Sequence, residues 1–124
     1  MDKIIFFDIE TVSEYPAYED MPVSKQALRD KKVSYETSDL SSTELYVQKA
    51  AIYPEFGRVV CISYGGYDES GEFATHSFAW EDEKQLLSDF FGVLRQFPHY
   101  RLCGHNIKDF DIPYICKRGV IQWC

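Results

Sequence analysis

Three carboxylates in this chain stand where they could do chemistry. Asp8 and Glu10 sit one residue apart in Ile4-Ile5-Phe6-Phe7-Asp8-Ile9-Glu10-Thr11, and Asp111 closes the stretch Gly104-His105-Asn106-Ile107-Lys108-Asp109-Phe110-Asp111. Four apolar residues before Asp8 predict a strand buried on both faces. Side chains alternate along a strand, so Asp8 and Glu10 share one face while Phe7 and Ile9 take the other. Two neighbouring carboxylates at a buried strand end repel each other and lose hydration, which is unfavourable unless a cation lies between them. If the strand simply ends here, both acids stand in water, and the pair alone does not separate these readings. A third carboxylate, Asp109 or Asp111, brought to the same strand end is hard to explain as packing. A divalent-metal site explains it.

The elements that must position these groups can be read from periodicity. After the first strand, residues 12–52 form a polar, acidic insertion broken by Pro16 and Pro22. It is expected to hold a short helix over Ser24–Lys32, with Ala27 and Leu28 as its apolar face. A second helix should start at Ser41, where Ser41 and Glu44 have capping-box spacing. Arg58–Tyr64 is a β-branched strand, and Gly65-Gly66 with Asp68–Gly71 supplies turn chemistry. Glu72–Trp80 alternates again, which gives a three-stranded antiparallel meander. Leu86, Leu87, Phe90, Phe91 and Leu94 then make one helical stripe within Asp82–Phe97, ended by Pro98. Tyr100–Cys103 is a short strand and Gly104-His105-Asn106 a tight loop. Phe110–Arg118 is a helix with Ile112, Ile115 and Cys116 inward and Gly119 as its C-cap. The order strand, strand, strand, helix, strand, helix is an α/β arrangement with a mixed sheet.

Composition limits the alternatives. At 124 residues with 45% hydrophobic and 16% aromatic content, the chain is a single folded domain. It has no run long enough to span a membrane and no signal-peptide pattern, which predicts a soluble cytoplasmic protein. The net charge of −7 argues against broad duplex binding, but a site that grips phosphates through metal ions needs few basic side chains. Cys61 and Cys103 are expected as small buried hydrophobes. Cys103, His105, Cys116 and Cys124 fit no usual zinc-ligand spacing, and His76 and His99 have no catalytic context. The closing run Val120-Ile121-Gln122-Trp123-Cys124 is apolar, so the chain is expected to stop in the middle of a fold.

Phe7-Asp8-Ile9-Glu10-Thr11 resembles the first motif of the DEDD (DnaQ-like) 3′–5′ exonucleases, and Asn106-x-x-x-Phe110-Asp111 resembles their second. The Phe110-Asp111-Ile112-Pro113-Tyr114 form and the strand Gly57–Ser63 are similar to the proofreading domain of family B DNA polymerases and its stand-alone bacterial relatives. The resemblance implies a ribonuclease H-like fold and two Mg²⁺ or Mn²⁺ ions held by Asp8, Glu10 and Asp111. It also implies substrate contacts from Thr11, Asn106 and Phe110, and hydrolysis at a single-stranded 3′ end, DNA before RNA. Asp109 is a bystander, and His105 precedes the motif. The third motif, Tyr-x-x-x-Asp or His-x-x-x-x-Asp, does not occur after Asp111. The 124 residues are therefore expected to be an incomplete exonuclease domain, weakly active or inactive. The alternative is a non-catalytic module of the same fold that binds nucleic acid or protein. An uncovered sheet edge would make a homodimer plausible.

Overall fold

The computed structural model describes residues 3–15, 18–33 and 50–123. The helix expected from Ser41 lies outside these residues. The described chain forms two compact units, residues 11–58 and residues 1–10 with 59–124. Four strands form one sheet in the order β3-β2-β1-β4: β1 (Ile4–Ser13), β2 (Gly57–Tyr67), β3 (Phe73–Phe78) and β4 (Arg101–Cys103). β2 and β3 pair antiparallel from Ile62↔Phe78 to Tyr67↔Phe73, while β1 and β4 pair parallel from Ile4↔Arg101 to Phe6↔Cys103. The sheet is therefore mixed, as expected of a ribonuclease H-like α/β domain.

In the larger unit, one sheet face carries the core. Phe7, Ile9, Val59 and Ile62 pack with Leu86, Leu87 and Phe90 of α2 (Glu83–Gln96) and Tyr114 and Ile115 of α3 (Ile112–Gln122). Helix α2 begins where Asp82 accepts hydrogen bonds from the Lys84 and Gln85 amides, a side-chain N-cap. The other face of β1 is not buried as the four apolar residues suggested. Phe6 is only half-covered, by edge-to-face contacts with Tyr67 and Phe73, and Asp8 and Glu10 are exposed. Apolar content predicts that a strand needs cover, and here aromatic neighbours on the same sheet supply part of it.

The packing corrects several expectations drawn from the sequence. Gly119 does not cap α3, which runs to Gln122 and ends at Trp123 in the left-handed region (φ 58°). Gly119 is instead a close-packing position, since a β-carbon there would lie 3.0 Å from the ring of Phe91. Cys116 faces solvent, Cys103 is exposed and Cys61 is only half-buried, so none is a core hydrophobe. Cys103 is exposed because β4 is an edge strand whose three residues are all exposed.

A buried ion pair ties α3 to α2 and β2. Arg118 and Glu83 are 1% and 4% exposed. Arg118 donates through Nε (3.0 Å) and Nη2 to the Glu83 carboxylate. That carboxylate also accepts from the Val59 amide (2.6 Å) and from Gln122 Nε2 (2.9 Å).

The smaller unit has its own core of Met21 and Phe56, with Tyr15 and Tyr53 packed against it. Its helix α1 (Val23–Val33) does not use the expected face, because Ala27 and Leu28 are exposed. It is anchored at its start: Lys25 pairs with Glu14 at 3.1 Å and lies over the Tyr15 ring, and Gln26 donates to the Met21 carbonyl.

Candidate active site

The site is built where β4 stops. In the parallel pairing, the β1 backbone turned toward β4 is matched through Phe6↔Cys103. Beyond that point β4 ends and the chain crosses β1 closely. A β-carbon on Gly104 would lie 2.5 Å from the Phe7 carbonyl oxygen and 2.5 Å from Ile107 Cγ2, so the crossing admits no side chain. Nothing in the sequence distinguishes this glycine from an ordinary turn residue. Gly104→Ala is expected to force β1 and the loop apart. Its expected cost is about 1–3 kcal/mol of stability, the usual range for overpacking, read as a lower urea midpoint at unchanged slope.

After the crossing, Asn106 takes the left-handed conformation (φ 55°, ψ 28°), which Asn tolerates better than most residues. Ile107–Asp111 then forms a single π-type turn, closed by the Ile112 amide on the Ile107 carbonyl, before α3 begins. The expected helix over Phe110–Arg118 therefore starts with a wider turn and runs further. The extra residue in such a turn changes the direction in which the next side chains point. Asp109 faces solvent, Phe110 is half-buried against Tyr114, and Asp111 turns inward at 3% exposure.

Asp111 meets β1 at its centre. Its Oδ2 accepts a hydrogen bond from the Ile9 amide at 3.2 Å, which supplies a partner to the strand just past the end of β4. Burial pushes the Asp111 carboxyl above its ordinary range. The Ile9 hydrogen bond works against that rise, Asp8 adds to it, and His105 opposes it. The two motifs, 102 positions apart, thus come within electrostatic reach of each other. Asp8 and Glu10 lie on the exposed side of the same strand, as alternation predicts. Asp8 also lines a shallow hollow of about 220 Å³ with Phe6, Phe73 and Thr75. Asn106 is exposed and makes no side-chain cap bond. Thr11 belongs to the smaller unit, where its hydroxyl donates to the Ala51 carbonyl at 2.9 Å.

The donor chemistry fits a hard divalent cation, since all three side chains offer only carboxylate oxygens. Asp8 adds to the rise that burial gives the Asp111 carboxyl, and a cation would relieve that repulsion. Among the described residues, no three His, Cys, Asp or Glu side chains are gathered closely enough to hold an ion. Asp111 is pinned by Ile9, whereas Asp8 and Glu10 stand on the solvated face with room to turn.

The raised carboxyl has a consequence for stability. Between the ordinary value of 3.8 and its raised value, folded Asp111 keeps a proton that the unfolded chain has released. The contribution is full below 3.8 and is lost as pH rises through the raised value. Asp111→Asn keeps an acceptor for the Ile9 amide and removes the charge. In metal-free buffer, the variant should be more stable than wild type at neutral pH, and the difference should shrink on acidification. Thermal melts across that pH range measure it.

The sequence placed Asp8 and Glu10 at a strand end, but β1 runs on to Ser13 and the pair lies mid-strand. A mixed sheet with helices packed on one face and carboxylates on a central strand fits the ribonuclease H-like class of exonuclease domains. Residues 3–122 match the DNA polymerase family B exonuclease domain, and the chain belongs to that family. A DNA polymerase of Red sea bream iridovirus is 32% identical over 116 residues, covering 94% of this chain and 10% of the polymerase. The chain thus spans about a tenth of that relative's length. The family makes this a nuclease-type domain. Among the described residues, no helix is long and apolar enough to cross a membrane.

Proposed function

We propose that this chain is a metal-dependent 3′–5′ exonuclease domain that hydrolyses the terminal phosphodiester of a single-stranded nucleic acid, DNA in preference to RNA. The observation that carries this reading is the meeting of Asp111 with Asp8-Ile9-Glu10. One motif's buried carboxylate is held by the other motif's backbone amide, and the Asp8 charge opposes its ionisation.

Asp8, Glu10 and Asp111 would hold two Mg²⁺ or Mn²⁺ ions, which when bound stabilise charge on the attacking and leaving oxygens and acidify the attacking water. Asp111, held by the Ile9 amide, would supply the fixed donor, and Asp8 and Glu10 would complete the carboxylate set. Phe110 supports Asp111 through its stacking on Tyr114. Asn106 and Thr11 are assigned to orienting the substrate strand. No Tyr-x-x-x-Asp or His-x-x-x-x-Asp follows Asp111 in these residues, so the third motif's carboxylate and its Tyr or His are not supplied after the second motif. The 124 residues alone are expected to turn over slowly. A longer chain that supplies a fourth carboxylate should release mononucleotides from a single-stranded DNA 3′ end in Mg²⁺ or Mn²⁺. No release from such a chain, or release unaffected by chelation, would count against the proposal.

One observation favours a second reading. The three carboxylates do not converge among the described residues, as in a module that binds a nucleic-acid end or a protein without cutting. That reading predicts no metal binding by the carboxylates and no mononucleotide release at any chain length.

A further inference from the structure

An aromatic-lined hollow of about 420 Å³ in the larger unit is lined by Ile4 and Ile5 at the start of β1. None of Asp8, Glu10, Asn106 and Asp111 lines it. Ile4 and Ile5 contribute apolar surface, and Tyr64, Tyr67, His76, Phe97 and Tyr100 contribute rings. Asp68 lies at its border, and no Lys or Arg lines it. Tyr64 is tilted against His76 (5.5 Å between centroids), and Phe97 against Tyr100 (4.9 Å), so these rings support one another.

The turn that carries Asp68 is closed firmly. Asp68 Oδ1 accepts from the Ser70 hydroxyl at 2.7 Å and from the Glu72 amide at 2.9 Å, and the Asp68 amide donates to the Glu72 carbonyl. Gly71, at φ 85°, takes the left-handed position that the turn needs. The Ser70 hydroxyl, then the Glu72 amide, holds the Asp68 carboxyl below its ordinary range, so it stays ionised. Glu69 and Glu72 share the turn, and residues 67–73 contain no cation.

These features select a ligand by charge and hydration. An anionic group, such as a nucleotide phosphate, would meet Asp68 with no basic side chain to offset it. A neutral ring would fill the apolar walls but offer the ionised Asp68 carboxylate no opposite charge. An ammonium is compact and strongly hydrated, whereas a guanidinium is planar, weakly hydrated, suited to aromatic surfaces and able to donate to a carboxylate along its edge. We propose that the hollow bordered by Asp68, Tyr67 and Tyr100 is a binding site for a guanidinium group, either a free small molecule or an arginine side chain of a partner segment.

Nuclear magnetic resonance titration of the whole chain tests this with three probes: acetyl-arginine-amide, a short peptide bearing one arginine, and the same peptide with citrulline. Shifts should cluster on Tyr67, Ala74 and Tyr100 for both arginine probes and be absent for citrulline. A peptide that binds more tightly than the free amide identifies a partner segment, and equal binding identifies a small-molecule site. Asp68→Asn retains an acceptor for Ser70 and Glu72 and should weaken binding about tenfold, the scale of one charge-assisted hydrogen bond. Tyr67→Ala, at an exposed position, should weaken it too. Equal binding of citrulline, no effect of Asp68→Asn, shifts gathered on Asp8 and Glu10 instead, or no shifts at millimolar probe would each overturn the proposal. Nuclease activity is not the readout, so failure here leaves the reading of Asp8, Glu10 and Asp111 untouched.

Discussion

Arg118→Met is expected to lower the stability of the larger unit by about 3–5 kcal/mol, the usual cost of breaking a buried ion pair from one side. Arg118 reaches a carboxylate that also serves the Val59 amide and Gln122. Without it, Glu83 is a buried anion with no compensating cation at 4% exposure. A loss of that size is a large part of the stability of a domain this small, so the urea midpoint should fall steeply or the chain should fail to fold. The double variant Glu83→Gln with Arg118→Met separates charge from packing. Gln can still accept from Val59, and with both charges gone most of the loss should be recovered. A double variant as unstable as the single one would mean that the shape of the Arg118 side chain matters and its charge does not.

The second large effect concerns Asp8. Asp8→Ala should leave the fold intact, because the side chain is exposed and supports no core contact. In a chain with full activity, it should lower the rate of 3′-end hydrolysis by about three powers of ten or more, by analogy with the removal of a group that stabilises transition-state charge. It should also move Asp111. With the Asp8 charge gone, one of the influences raising the Asp111 carboxyl disappears, so that carboxyl should titrate lower than in wild type. This second readout needs no activity, and it links the two motifs directly.

Much of this arrangement was legible in the residues. Alternation put Asp8 and Glu10 on one face and Ile9 on the other, and β1 has that pattern. The stripe from Leu86 to Leu94 gave α2, and its Asp82 cap is seen only in the structure. The parts that were not legible depend on contacts between distant positions. Asp111 turns inward through a π-type turn, and helical periodicity cannot announce one extra residue. Gly104 reads as a turn glycine until the Phe7 carbonyl is seen against it. Gly119 reads as a helix stop until Phe91 is seen on its face. Arg118 could have been found. It lies three residues after Ile115 and four after Tyr114, on the inward stripe of α3, where an arginine demands a buried acid. Cys116 is expected on that stripe too, but it falls one residue past Ile115 and therefore faces out.

The separation between the carboxylates also shapes the expected response to metal. Asp111 is fixed, while Asp8 and Glu10 are solvated. Metal binding should therefore reorganise the exposed pair and relieve the repulsion from Asp8 that adds to the effect of burial on Asp111. Ions that bind the folded state alone would then add stability in proportion to the logarithm of their concentration.

The most direct test is isothermal calorimetry with Mn²⁺ on the wild-type chain and on Asp8→Ala. The proposal predicts a saturable Mn²⁺ site in wild type that is lost in the variant. No site in wild type, or a site that survives Asp8→Ala unchanged, would contradict it.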